Sequence, residues 1–113
     1  MDQVAALARF QAHCPPDSDP PLSWDIVDDC ISAAVTADAD GVLPSESGWV
    51  PTYSRRGIWL AIVRGWEAKA SAAADRFDFT TDGQSFRRSQ VIDHCEARAA
   101  TYRRRLSQSV GAA

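Results

Sequence analysis

The sequence predicts an all-α protein: a small helical bundle of about four helices, with a long loop between helices 2 and 3. Three observations carry that expectation. Residues 54–76 and 89–108 keep apolar side chains at helical spacing over long stretches. Two shorter stretches, 2–13 and 22–38, begin at good capping residues, Asp2 and Ser23. Proline and glycine gather between these stretches, in CPPDSDPP and ADGVLPSESGWVP.

In the first helix, DQVAALARFQAH, Val4, Leu7, Ala8 and Gln11 share one side. The four prolines at 15, 16, 20 and 21 end it and predict a stiff, extended connector. The second helix, LSWDIVDDCISAAVTAD, places Asp25, Asp28 and Asp29 toward the positive end of its dipole. Its apolar stripe is either Ile26, Cys30 and Ala33 or Val27, Ile31 and Ala34, with Trp24 stapling the start. Residues 39–56 lack helical period, a length that marks functional or disordered loops. Trp49, Val50 and Tyr53 are too apolar for a flexible linker, so this loop packs either on its own core or on a partner.

Ser54 caps the third helix, in which IWLAIV is apolar on every side and therefore belongs at the centre. Trp59, Ile62 or Val63, Trp66, Ala70, Ala73 and Phe77 continue a face. The elbow RFDFTTDGQSFRRSQ, 76–90, carries the turn signal Asp82-Gly83 and three phenylalanines, and reverses the chain. Ser85 or Ser89 caps the last helix, where Ile92, Cys95, Ala99, Tyr102 and Leu106 form a single seam. Arg103, Arg104 and Arg105 suit its C-terminal end.

At 113 residues the chain reads as one domain, 1–113, with its core in 22–108 and a frayed tail at 109–113. No stretch has the length and hydropathy of a membrane span. MDQVAALARFQ lacks the pattern of a secretory signal, which predicts synthesis in the cytoplasm. Net charge is −3 but unevenly distributed. Residues 1–50 hold nine acids and one base, Arg9, for −8; residues 51–113 hold six acids and eleven bases, for +5. Either the two parts neutralise each other within one monomer, or the acidic part of one copy meets the basic part of another.

Cys14, Cys30 and Cys95 form no CxxC and read as buried thiols on helix faces. His13-Cys14 and His94-Cys95 match no usual zinc spacing, and nothing near them supplies an orienting group for a Cys–His nucleophile. Asp28-Asp29 and Asp38-Asp40 read as solvated caps. With no nucleotide-binding or hydrolase motif, the expectation is a protein that is not an enzyme and takes no cofactor and no metal. Arg87-Arg88 and the arginine triplet read as exposed helix surface, as a protein contact, or as phosphate contacts in a DNA-binding or regulatory module. The elbow is too long for a helix-turn-helix. The contact candidates are Trp49 and Tyr53 in the loop, Asp82, Arg87 and Arg88 in the elbow, and Tyr102, Arg103, Arg104 and Arg105.

IWLAIVRGWEAKASAAADRFDF, then TTDGQSFRRSQ, then VIDHCEARAATYRRRL resembles the small head–tail connector, or adaptor, proteins of long-tailed bacteriophages. The resemblance covers 22–108 and is most specific over 58–106. It implies a virion structural subunit in the neck, assembled as a homo-oligomeric ring, commonly of twelve copies. Such a ring binds the portal protein on one side and a tail-side stopper or tail protein on the other. DNA passes through its channel as cargo, and no membrane is involved. The resemblance also implies that the segment from Tyr102 to Ala113 engages the portal.

Overall fold

Among the described residues of this computed structural model, four α-helices form: α1 (Gln3–His13), α2 (Trp24–Ile31), α3 (Arg55–Arg76) and α4 (Asp82–Gly111). A single 3-10 turn, Ser32–Ala34, follows α2. The structure describes residues 1–18, 20–76 and 82–111, and side chains within these except at 75–76, 82–89 and 108–111. The described residues are a small all-α bundle, as expected.

Helix α1 starts where Asp2 accepts a hydrogen bond from the Ala5 backbone N–H at 2.8 Å. Its inner face is Ala6 and Phe10, with Leu7 of the predicted side packed against the core beside them, while Val4 is 78% exposed and Ala8 also faces outward. The reason lies in α3. A Cβ at Gly65 would stand 2.8 Å from both Phe10 Cζ and Cys14 Sγ, so the missing side chain makes room for the phenylalanine ring.

Helix α2 is shorter than predicted. It begins at Ser23, whose Oγ accepts from Ile26 N, but ends at Ile31 rather than near 38. The chain then turns extended because a better partner arrives: Val35 bridges Tyr53 in antiparallel fashion, Thr36 N donates to Thr52 O at 3.0 Å, and Ser54 N to Ala34 O at 2.8 Å. β-Branched Val35 and Thr36 favour that outcome over another helical turn. Val27, Ile31 and Ala34 face the core, with Cys30 beside them, whereas Ile26 and Trp24 remain exposed; Trp24 staples nothing. Gly57 permits the close approach, since a Cβ there would meet Ala34 Cα at 2.5 Å.

Helix α3 contacts α1, α2, the 3-10 turn and α4, as its all-round apolar segment 58–63 requires. Ile58, Ala61, Ile62, Val63 and Trp66 are buried. Helix α4 runs antiparallel to it, pairing Trp59 with Tyr102 and Arg105, and Trp66 with His94 and Arg98. The predicted seam holds: Cys95, Ala99 and Tyr102 are buried, Ile92 and Leu106 half-buried. Asp82 and Gly83 are the first helical residues of α4 rather than a turn, so α4 starts seven residues before Ser89. Phe77 and Phe79 lie outside the described residues, as does the side chain of Phe86. The antiparallel α3–α4 pair, not the length of the elbow, differs from a helix-turn-helix, whose helices cross at about 90–120°.

The proline connector also differs from its expected extended form. Leu22 N donates to Pro16 O at 2.8 Å, closing a turn. Its carbonyls converge on Lys69, the only lysine of the chain, which is 0% exposed. Lys69 Nζ donates to Pro20 O at 2.7 Å, Ser18 O at 2.9 Å and Ser18 Oγ at 3.1 Å. The cation thereby satisfies acceptors that the prolines, lacking N–H groups, cannot satisfy among themselves. Replacing it with methionine (K69M) keeps the volume and orphans those oxygens. The expected loss is about 1–3 kcal/mol of unfolding free energy, read by chemical denaturation; unchanged stability would contradict the assignment.

Candidate interaction surface

Polar and aromatic side chains converge where the end of α1 meets the α3–α4 pair. Trp59 stacks on Tyr102, with centroids 5.8 Å apart and planes 20° apart. His13, last residue of α1, packs 5.1 Å from Trp59, and its Nδ1 is 3.0 Å from the Tyr102 hydroxyl. Trp66 Nε1 donates to His13 O at 3.1 Å, which holds the helix end in place. Arg105 lies 5.4 Å over the rings of both Trp59 and Tyr102, and Arg98 lies 5.8 Å over Trp66. Partial burial holds the His13 imidazole below its ordinary pKa of 6.5, and the positive fields of Arg105, Arg9 and Arg98 push the same way.

Of the residues singled out from the sequence, Tyr102 and Tyr53 are core residues, at 5% and 8% exposure. Tyr53 exchanges backbone hydrogen bonds with Met1, each 2.8 Å long. The arginine triplet divides. Arg103 pairs with Glu67 at 3.0 Å, but both are more than half exposed, so the pair adds at most about 1 kcal/mol. Arg104 is exposed and reaches only Thr101 Oγ1, at 3.4 Å, while Arg105 covers the aromatic cluster. Trp49 is half-buried, donates from Nε1 to Thr36 O at 2.9 Å, and helps line a cleft of about 190 Å³ with Leu7, Ile31 and Val35. Asp82, Arg87 and Arg88 lie in the first turns of α4, and their side chains are outside the described residues.

Several organising residues escaped the sequence reading. From the sequence His13 reads only as a metal ligand or as half of a Cys–His pair, and neither Lys69 nor Arg98 stands out. The readable signal was a pair of equal spacings, Trp59 to Trp66 and Arg98 to Arg105, both seven residues. Asp38 was read as a solvated cap, yet it is 9% exposed and holds the long loop together. Its Oδ1 accepts from Asp40 N and Val42 N, both at 2.9 Å, and its Oδ2 from Val50 N at 3.1 Å. These N–H groups, Val50 first, hold its carboxyl below the usual value of 3.8.

All three cysteines are buried thiols. Burial pushes the Cys14 thiol up to about 12, the opposite of what a nucleophilic thiolate needs. Among the described residues no three His, Cys, Asp or Glu side chains converge as metal ligands, and no helix is long and apolar enough to cross a membrane.

Among the described residues, no ion pair joins an exposed acid of 1–50 to an exposed base of 51–113; Arg103–Glu67 lies within the latter part. Asp25, Asp28 and Asp29 on α2 are all exposed.

Two pH effects follow. Because the fold depresses the His13 pKa, the unfolded chain binds a proton more readily, so the contribution is complete above about pH 6.5 and declines as pH falls below it. Unfolding at pH 7.5 and 5.5 should show a loss on acidification that His13→Gln reduces; equal losses would contradict the assignment. The Asp38 contribution is present above about pH 3.8 and is lost as pH falls through its lowered value. Asp38→Ala should speed amide exchange at Asp40, Val42 and Val50 while leaving α3 protected, and unchanged exchange would remove its role. No family model matches the chain, and neither a curated protein nor a solved structure is significantly similar to it.

Proposed function

We propose that this chain is a structural adaptor of the phage neck, a head–tail connector subunit that assembles as a ring between portal and tail-side stopper or tail. The observation that carries the reading is the separation of charge. An exposed acidic helix and an exposed arginine-bearing helix occur in one small bundle without ion-pairing to each other among the described residues. Surfaces of opposite sign on one subunit suit heterologous contacts, in which a face of one copy meets a different face of the next. The resemblance of the 58–106 segment to connector subunits supports the same reading. DNA is cargo here, and the virion is the site of action.

Electron microscopy of portal particles mixed with the purified protein tests this. Rings decorating the portal are expected, and bare portals across a range of salt would overturn the reading. Arg103, Arg104 and Arg105 changed together to glutamate should abolish decoration while leaving the helical signal intact; undiminished decoration would remove that segment from the contact. A second reading, a DNA-binding or regulatory module, draws on the exposed arginines of α4. It requires duplex binding that weakens steeply with salt, and absence of binding at about 50 mM salt eliminates it.

A further inference from the structure

Trp59 and Trp66 stand seven residues apart on α3, Arg98 and Arg105 seven apart on α4, and the antiparallel pairing makes two matched rungs, Trp59–Arg105 and Trp66–Arg98. Seven residues are about two helical turns, or about 10.5 Å along the axis. Each guanidinium is held against an indole, which limits its conformational freedom and leaves its N–H edge for a carboxylate. Arg9, half-buried on α1, adds a third cation near the same place, as its field on His13 records. Ring contacts hold both exposed guanidiniums, and among the described residues no carboxylate pairs with either.

We infer that this arginine–tryptophan ladder is a docking face for α2 of a second copy of the chain, received through Asp25, Asp28 and Asp29. Those three carboxylates lie at i, i+3 and i+4, so they share one helix face, and all are exposed. Two cations about two turns apart can flank an acidic segment little more than one turn long. The bundle itself does not bring the two faces together into ion pairs. Nucleic acid fits the ladder less well, because the chain carries −3 overall and its first fifty residues −8. The ladder and α2 are different surfaces, so the contact is heterologous and continues from copy to copy. This inference rests on the oligomeric reading above and names the faces that meet.

The test needs no portal. Sedimentation velocity of the full chain, from about 10 to 500 µM in about 25 mM salt, should show association that weakens in about 300 mM salt, where screening is stronger. Two variants, R98E/R105E and D25K/D28K/D29K, should each raise the dissociation constant at least about tenfold, the scale of losing one or more close charge pairs. Mixing the two should restore association, since each then offers the other a complementary face. If the ladder variant loses its fold, D25N/D28N/D29N decides alone, because those side chains are exposed. Monomer at every concentration, or association indifferent to these changes, overturns the inference. Duplex DNA binding that is lost in R98E/R105E, without self-association of the wild type, also overturns it and assigns the ladder to nucleic acid. Portal decoration without self-association would sink this contact and spare the adaptor reading; salt-sensitive association without decoration would do the reverse.

Discussion

Helix α3 cannot be left half covered. Its stretch IWLAIV, 58–63, is apolar in every direction, so it is stable only when other elements enclose it. The remainder of the fold is arranged to meet that demand. Helix α1 takes the side opened by Gly65, α2 and its 3-10 turn take the side opened by Gly57, and α4 lies along the rest. Both glycines matter for the same reason: they let neighbouring atoms approach to distances a side chain would forbid.

Enclosing one helix with short elements leaves tight connections whose polar backbone must be satisfied. Two residues do much of this. Lys69 collects the carbonyls of the proline-rich turn between α1 and α2, and Asp38 collects the N–H groups of the loop between α2 and α3. They are complementary solutions, a cation for surplus acceptors and an anion for surplus donors. Each converts a segment whose composition reads as irregular into one of defined shape. The long loop is consequently a built surface rather than a tether, with Tyr53 in the core and Trp49 at the rim of a cleft.

The exterior follows a different logic from the core. Charge is segregated by region: exposed acids on α2 and in the loop, exposed arginines on α3 and along α4, where Asp93 and Glu96 accompany them. Such segregation leaves favourable electrostatics unspent within the monomer, and in water exposed charges gain little by pairing locally anyway. They gain more where a partner excludes solvent. The aromatic rings beneath Arg98 and Arg105 limit the conformational freedom of both guanidiniums. His13 sits where this surface meets the core, linking the end of α1 to Tyr102.

Much was legible in the residues themselves. Helix class, the Asp2, Ser23 and Ser54 caps, the central place of IWLAIV and the Ile92–Leu106 seam depend on nearest neighbours along the chain and on periodicity, and these survive any folding environment. What escaped was decided by residues distant in sequence. The early end of α2 is set by Tyr53 returning to Val35, the true face of α1 by a glycine 55 residues after Phe10, and the shape of the proline turn by a lysine 49 residues beyond Pro20. The two Trp–Arg rungs likewise exist only because α4 runs back along α3 in one register. Local propensity differs among competing conformations by a few tenths to about 1 kcal/mol per residue, so a single buried contact or satisfied carbonyl of comparable size reverses it.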